Sequence, residues 1–244
     1  MDLPEPFRWE GQHVVAALPG ARVLFSSRLG GVSPAPFDSL NIGRLTADDG
    51  ANVDANRERL AAAVGLPRER FLYGRQVHGT TVRRGTEPPS DARPAADEDG
   101  QATVLEDAAA LVFVADCLPV LVAGQGGVAA LHVGYRPLAG GIIAEGVAAL
   151  RELGVDGPLA AAIGPGARGC CYEVGEEVHA MIPGARVGER NLDMPGAARR
   201  QLEEAGVDAV HDTGLCTMCR NDLFFSHRAD GGVTGRQAGV VWRA

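Results

Sequence analysis

The chain has 244 residues, of which 45% are hydrophobic and 22% are charged, and its formal net charge is −8. This balance is typical of a globular protein, because disordered chains carry fewer apolar residues and a larger excess of charge. A negative chain without a basic cluster is a poor match for nucleic acid, so we expect a small-molecule substrate instead. The sequence has neither a signal-peptide pattern nor an apolar run of roughly 20 residues that could cross a membrane, and the expected location is the cytoplasm.

All 23 basic residues are arginines. The lack of lysine excludes Schiff-base catalysis and a phosphate loop built around a lysine. A bound phosphate would therefore be held by arginine, backbone amides or a metal ion. The five cysteines form an odd set, which indicates reduced thiols in a reducing compartment.

Short segments rich in β-branched and apolar residues predict strands at 23–26, 71–76, 110–114, 119–123, 128–133, 159–163, 222–226 and 238–242. Helices are predicted between them, at 55–64, 141–153, 176–181 and 196–205. Asp54 is the expected N-cap of the first helix, and Gly65 is expected to end it.

Strands and helices intermix from end to end without a long linker, so we predict one α/β domain, residues 1–244, with at least one mixed sheet. Residues 87–100 interrupt the pattern with prolines, acids and small residues, and we predict a loop or lid there. A domain boundary in this stretch is the alternative.

Three stretches each place one metal-binding side chain at the predicted end of a strand. They are Gln76-Val77-His78-Gly79, Ala115-Asp116-Cys117-Leu118-Pro119 and Leu131-His132-Val133-Gly134. Two imidazoles and one thiolate, with a fourth position left open, form the ligand set of a catalytic zinc site. Because side chains at neighbouring strand ends converge, we expect His78, Cys117 and His132 to meet.

Each of these residues also has a simpler interpretation. A histidine near a strand end is often only hydrogen-bonded, and a cysteine among apolar residues often fills the core. Cys117 could also act as a nucleophile with one histidine as its base. Asp116 favours a functional site, because an acid between two apolar runs requires a partner and can orient a metal ligand.

Cys216-Thr217-Met218-Cys219 has the spacing of a redox or zinc motif. The adjacent Cys170 and Cys171 do not supply a second pair at similar spacing, so we interpret the motif as structural or incidental. Residues 163–169 form a glycine-rich turn that could bind an anion through backbone amides and Arg168.

Arg28 and Arg57 are candidate anion or ribose contacts, and the alternative for both is an ordinary surface arginine. Asn41 is a candidate substrate contact that could equally stabilise a turn.

Ordered motifs over nearly the whole chain resemble those of the YfiH-type family, also called the laccase-domain or polyphenol oxidase family. The motifs are Ser27-Arg28-Leu29-Gly30-Gly31-Val32-Ser33, Ser39-Leu40-Asn41, Asn56-Arg57, Gln76-Val77-His78-Gly79, Ala115-Asp116-Cys117-Leu118-Pro119-Val120, Cys171-Tyr172-Glu173-Val174-Gly175, Cys216-Thr217, Phe224-Phe225-Ser226-His227-Arg228 and Thr234-Gly235-Arg236. The resemblance implies a single α/β/β/α domain with two mixed sheets, similar to bacterial cysteine hydrolases.

The resemblance further implies zinc bound by His78, Cys117 and His132. It implies a purine nucleoside phosphorylase acting on adenosine, inosine or methylthioadenosine, with adenosine deaminase activity as an addition. A zinc amidase that edits peptidoglycan precursors is an alternative enzyme, and a metal-stabilised binding scaffold is the non-enzymatic one. In the phosphorylase interpretation Cys117 and Asp116 are the predicted catalytic residues.

The same interpretation makes Arg28, Arg57, Asn41 and Gln76 the predicted substrate contacts. The chain departs from the usual family pattern at Tyr135-Arg136-Pro137, where proline removes a backbone amide, and at Gly166-Ala167-Arg168. An altered purine preference is therefore expected, and the sequence leaves the oligomeric state open.

A copper-dependent polyphenol oxidase is disfavoured. Coupling phenol oxidation to the four-electron reduction of oxygen needs several imidazole-rich copper centres, and the chain has only six scattered histidines. Zinc is the predicted metal.

Overall fold

Two six-stranded sheets form the centre of the molecule in the computed structural model, which describes residues 2–87 and 96–244. The strands are β1 (Arg8–Glu10), β2 (His13–Leu18), β3 (Ala21–Phe25), β4 (Phe71–Leu72), β5 (Val82–Gly85), β6 (Gly100–Thr103), β7 (Ala109–Val114), β8 (Leu118–Gly124), β9 (Gly127–Val133), β10 (Leu159–Ile163), β11 (Arg186–Val187), β12 (Asn191–Leu192), β13 (Ala209–Asp212) and β14 (Gln237–Arg243). The α-helices are α1 (Gly50–Val64), α2 (Tyr135–Gly140), α3 (Ile142–Glu152), α4 (Glu176–Met181) and α5 (Met194–Glu204).

Both large sheets are mixed. The first has the order β1-β2-β3-β14-β7-β4, and only its β4–β7 pair is parallel. The second has the order β13-β10-β8-β9-β6-β5, with parallel pairs at its two edges. The predicted mixed-sheet architecture is confirmed. The short strands β11 and β12 pair separately.

The side-chain alternation of the strands builds four layers. In β8, Leu121 packs between the two sheets, whereas Val120 and Val122 point to the opposite face, which is covered by helices. Because β8 is buried on both faces, its sequence is a continuous apolar run and does not alternate between apolar and polar residues. On the outer face of the first sheet, Leu60 and Val64 of α1 pack against β-sheet residues. The result is the predicted α/β/β/α arrangement.

Two predicted helices begin at different residues than expected. Helix α1 starts earlier than predicted, because the carboxylate of Asp49, not Asp54, accepts the capping bond from the amide of Ala51. Gly65 ends this helix as expected, in the left-handed conformation with φ 80°. The predicted helix 141–153 is preceded by a separate short helix, and Gly141, with φ 90°, separates α2 from α3.

The predicted strand 222–226 is wrong. This segment is a turn, and its apolar character reflects the complete burial of Phe224 and Phe225 between other elements. The predicted strand 71–76 pairs regularly only over its first two residues. Beyond them Gly74 lies so close to Glu98 that a Cβ atom at Gly74 would come within 2.5 Å of the Glu98 Cβ.

The stretch predicted as a loop or lid, residues 87–100, lies partly outside the described residues. Its described C-terminal part is built into the fold. Asp97 forms an ion pair with Arg75, Asp99 is fully buried, and Gly100 begins β6. Within residues 2–87 and 96–244, no helix is both long enough and apolar enough to span a membrane.

Candidate metal centre

His78, Cys117 and His132, the three predicted ligands, converge at one end of the second sheet. The Sγ atom of Cys117 lies 3.8 Å from Nε2 of His78, and the two imidazole rings are 4.8 Å apart between centroids. One ligand atom from each of the three residues lies within 4.8 Å of the others. His132 is buried, Cys117 is half-buried and His78 is exposed, so the group is open to solvent on the His78 side.

The β8–β9 hairpin positions two of the three ligands. Cys117 immediately precedes β8, and His132 is the penultimate residue of β9, directly opposite Pro119 in the antiparallel register. His78 comes from the loop between β4 and β5. Its backbone has φ 60°, a left-handed conformation that non-glycine residues seldom adopt. Such a conformation persists only where the surrounding contacts hold it in place.

Asp99 supplies those contacts. Its carboxylate accepts hydrogen bonds from the backbone amides of Val77, His78 and Gly79, at 3.0, 3.0 and 2.7 Å. The Oδ1 atom of the same carboxylate lies 2.7 Å from Nδ1 of His132. Asp99 therefore fixes the His78 loop and holds Nδ1 of His132, which leaves Nε2 of that ring for the metal, a support common to metal-binding histidines.

Sequence analysis missed Asp99, because it lies in the acidic stretch interpreted as a loop. Burial alone would raise the pKa of the Asp99 carboxyl, but His132 and the amides of Gly79 and Val77 outweigh it and lower that pKa. Asp99 is therefore a buried carboxylate at neutral pH. No comparable signal was present in the sequence, because the strand that follows Asp99, Gly100–Thr103, is short and lacks an apolar run.

The charges at the site favour a cation. Burial raises the pKa of the Cys117 thiol, but His132 and His78 outweigh this effect and bring it down to about 6. Burial lowers the pKa of His132, but the Cys117 thiolate and Asp99 outweigh it and bring it up to about 9. In the metal-free protein a proton on His132 thus balances two buried negative groups. A divalent metal bound to the thiolate and the imidazoles would supply that positive charge instead.

Gly134 shapes the floor of the site. A Cβ atom at this position would lie 2.9 Å from Sγ of Cys117 and 3.1 Å from Cδ2 of His78. Only glycine allows the backbone to approach the ligands so closely. Gly134 is also the N-cap of α2, so Pro137 falls in the first helical turn, where its missing amide removes no intrahelical hydrogen bond. Pro137, one of the departures from the family pattern, therefore does not destabilise α2.

Two further side chains lie in the electrostatic field of the site, and neither was predicted. Burial lowers the pKa of Arg236, and the negative charges of Cys117 and Asp116 oppose that shift. Burial raises the pKa of Tyr172 to about 12, with further contributions from Cys117 and Asp116. Both residues belong to motifs that carried the family resemblance, which was the available signal. They place a cationic and a phenolic side chain near the ligands.

Asp116 does not hydrogen-bond to either histidine ligand. Its Oδ1 accepts from the hydroxyl of Thr217 at 2.6 Å, and its Oδ2 accepts from the amide of Arg228 at 2.8 Å. Its backbone is left-handed, with φ 85°, and its carbonyl accepts from the amide of Ala167. These contacts hold the turn that presents Cys117, so in this structure Asp116 positions a ligand; its predicted catalytic role stays a prediction.

The two predicted amide contacts bind the protein itself. The Gln76 side chain pairs with the backbone of Phe113, donating to its carbonyl and accepting from its amide, both at 2.7 Å. Asn41 is completely buried, and its carbonyl oxygen accepts from the amides of Gly43 and Arg236. The Gln76 side chain therefore pairs with the backbone of β7, and Asn41 links the loop that contains Gly43 to the loop that contains Arg236.

The two predicted arginine contacts are also engaged. Arg57 donates to the carbonyl of Ile42 at 2.9 Å and to the hydroxyl of Tyr73 at 3.1 Å. Arg28 donates to the carbonyl of Asp38 at 2.8 Å and stacks over Phe225. Substrate binding by either arginine stays a prediction, and it would compete with these internal contacts.

The glycine-rich turn at 163–169 also forms internal contacts. Arg168 forms a two-point ion pair with Asp212, which satisfies the guanidinium group that was expected to bind an anion.

Comparison with known proteins identifies the family. The family model described as multi-copper polyphenol oxidoreductase laccase matches residues 22–244. This chain belongs to that family. A purine nucleoside phosphorylase of Corynebacterium glutamicum is 39% identical to this laccase-family chain over 232 residues, covering 91% of the chain and 94% of the relative. The purine nucleoside phosphorylase YfiH of Escherichia coli K12 is 35% identical over 237 residues, covering 91% of the chain and 94% of the relative.

Solved structures of laccase-family relatives share the fold. The crystal structure of YlmD from Geobacillus stearothermophilus matches with a TM-score of 0.89 and 32% sequence identity, covering 98% of this chain and 99% of that one. The predicted resemblance to the YfiH-type family is thereby confirmed. The names of the curated relatives are those of enzymes that act on nucleosides.

Proposed function

We propose that this protein is a zinc-dependent purine nucleoside phosphorylase, which uses phosphate to split adenosine, inosine or methylthioadenosine into free base and ribose-1-phosphate. The observation that carries the proposal is the solvent-open group of His78, Cys117 and His132 in the field of the Arg236 guanidinium. The names of relatives at 35–39% identity support the reaction.

The donor set fits zinc better than a copper oxidase centre. Two imidazoles and a thiolate with one open position are a known arrangement for catalytic zinc. Within the described residues only two groups of potential ligands occur, and the second consists of cysteines alone. All six histidines lie in the described ranges, and they do not supply the ligands that several imidazole-rich copper centres would need.

When bound, zinc supplies positive charge and an open coordination position for an anionic substrate group. The protein's own residues arrange the rest. Asp99 holds His132 and the His78 loop in one geometry, so the ligands need no reorganisation when substrate arrives. Gly134 lets the backbone pass directly against Cys117 and His78, where a larger residue would displace both side chains.

Phosphorolysis requires that phosphate be held against C1′ of ribose while positive charge develops on the sugar and the purine departs. Arg236 is our candidate for the phosphate contact, because guanidinium binds phosphate oxygens in pairs. Within residues 2–87 and 96–244 the hydrogen bonds of the Arg236 guanidinium run from Nη1 to the carbonyls of Thr234 and Gly235. Its other guanidinium N–H groups are therefore available to an anion, unlike those of Arg168.

Burial, with the charges of Cys117 and Asp116, raises the pKa of the Tyr172 phenol, which is therefore protonated at neutral pH. The hydroxyl is therefore available as a hydrogen-bond donor to the ribose or the base. Asp116 would act through Cys117 by holding its turn. Adenosine deamination and amide hydrolysis could use the same metal, and no contact in the structure favours either over phosphorolysis.

The test is to incubate the purified protein with adenosine or inosine, with and without phosphate, and to separate the products by chromatography. We expect ribose-1-phosphate and free base only when phosphate is present. Inosine formed from adenosine would show deamination instead, and no turnover of either nucleoside would refute the proposal.

Variants test the ligand set. Cys117→Ala and His78→Ala should each lose activity and the zinc ion of this site, whereas His211→Ala, which changes a histidine of β13 outside the group, should keep both. Retained activity in His78→Ala would favour the alternative of a Cys117–His132 nucleophile pair, because such a pair needs only one histidine.

A further inference from the structure

Four cysteines form a second cluster that the proposed function does not use. Cys170 and Cys171 lie in the segment between β10 and α4, and Cys216 and Cys219 lie in the turn after β13. Their sulfur atoms are 3.5 Å apart for Cys170–Cys171, Cys170–Cys219 and Cys171–Cys219, and 3.3 Å apart for Cys171–Cys216. All four sulfurs lie within 4.8 Å of one another.

These distances match one shared ion better than two disulfides. Sulfurs that surround a tetrahedral zinc at about 2.3 Å lie roughly 3.8 Å apart, whereas bonded sulfurs are about 2.0 Å apart. Cys171 is near Cys216 and Cys219 as well as Cys170, so the four sulfurs form one compact group instead of two separate pairs.

The surroundings of the sulfurs are also those of a thiolate site. Backbone amides of Cys219 and Arg168 donate to the sulfur of Cys216. Amide-to-sulfur bonds of this kind orient and stabilise metal-binding thiolates.

We propose that Cys170, Cys171, Cys216 and Cys219 bind a second zinc ion in a closed, four-thiolate structural site. Four protein ligands leave no position for substrate, which distinguishes this site from the open one at Cys117. The interpretation of Cys216–Cys219 as a motif without a second pair is corrected here. Cys170 and Cys171 do form that pair, because the turn following Arg168 brings both adjacent sulfurs to the same side.

The second site supports the first through a short chain of contacts. Thr217, inside the Cys216–Cys219 turn, donates its hydroxyl to Asp116, the neighbour of Cys117. The amide of Thr217 also donates to the carbonyl of Gly166, which joins the two cysteine-bearing segments. Zinc at the cluster would therefore hold the turn that presents Cys117, without touching substrate.

Cys117→Ala provides the sharpest test, because the only cysteines left in this variant are the four of the cluster. Protein purified under reducing conditions should contain two zinc ions per wild-type chain and one per Cys117→Ala chain, measured by elemental analysis. In the variant the four thiols should resist modification until a chelator removes zinc. A variant without zinc, one that contains iron, or one with disulfides in its peptide map would overturn the proposal.

Removing the cluster gives the complementary result. The double variant Cys216→Ser, Cys219→Ser should keep one zinc ion and nucleoside-splitting activity at low temperature, while its melting temperature falls. If this variant does not fold, replacement of zinc by cobalt in Cys117→Ala decides the matter, because a four-thiolate cobalt site has an intense sulfur-to-metal absorption band. The absence of that band in folded Cys117→Ala would contradict a four-thiolate site.

Discussion

Asp99 and His132 are joined by a contact of 2.7 Å between Oδ1 and Nδ1, and the same carboxylate accepts three backbone amides of the His78 loop. One buried acid thereby fixes two metal ligands that are distant in sequence. Both oxygens of the Asp99 carboxylate accept hydrogen bonds, so position 99 requires a side chain with two acceptor atoms.

Asp99→Asn should therefore weaken the metal site. The amide nitrogen of asparagine cannot accept, so one side of the new side chain would face backbone or imidazole donors. We expect about 10- to 100-fold weaker zinc binding, measured by competition with a chelating dye, and a parallel loss of activity at limiting zinc. Asp97→Asn is the matched control, because Asp97 pairs with Arg75 at the surface, and it should bind zinc like the wild type.

Arg57 and Arg236 should respond differently to replacement by glutamine. Arg57→Gln removes buried hydrogen bonds to Ile42 and Tyr73, so we expect a loss of about 1–3 kcal/mol in unfolding free energy and an unchanged KM for phosphate. Arg236→Gln should raise the KM for phosphate about 10-fold or more, with a small change in melting temperature. The opposite pattern, with KM rising only in Arg57→Gln, would restore Arg57 as the phosphate contact.

Asp116→Asn and Thr217→Val test how Asp116 acts. If Asp116 only holds the Cys117 turn, both variants should reduce stability and activity together. Thr217→Val removes the 2.6 Å bond, and Asp116→Asn can no longer accept from both Thr217 and the amide of Arg228. The expected loss is about 1–3 kcal/mol in denaturant unfolding. If Asp116 moves a proton, Asp116→Asn should abolish turnover while Thr217→Val retains most of it. A pH–rate profile that loses its acidic limb only in Asp116→Asn would support that second outcome.

Loss of the proton from the Glu98 carboxyl should make the protein less stable as pH rises. Burial raises the pKa of its carboxyl, partly offset by Arg83 and Gln101, so the folded chain holds this proton more tightly than the unfolded chain. The resulting stabilisation is complete below 4.5, the ordinary pKa of a glutamate carboxyl, and is lost as pH rises through the higher pKa of the folded state. Glu98→Gln should therefore raise the melting temperature at pH 7 and have little effect at pH 4.

Exposed Glu204 provides the control for this measurement, and Glu204→Gln should leave the pH dependence of stability unchanged. An equal gain from Glu98→Gln at both pH values would show that proton binding by Glu98 is not the cause.

The amino-acid sequence by itself predicted most of the elements and the three residues that meet in the candidate metal centre. Apolar β-branched runs such as 128–133 predicted central strands, because burial on both faces demands that pattern at every position. His78, Cys117 and His132 were identifiable because each combines a chemically distinctive side chain with a strand end. The odd cysteine count predicted reduced thiols, which stays a prediction.

Only the tertiary structure decided which polar residues serve the site and which serve the fold. Asn41, Arg57 and Gln76 were chosen as substrate contacts by residue type, but their hydrogen bonds are made to protein atoms. Asp99 was invisible, because its four donors come from the His78 loop and β9, which local patterns do not bring together. A residue's role depends on the partners that long-range folding places around it, whereas its secondary structure depends largely on its neighbours in sequence.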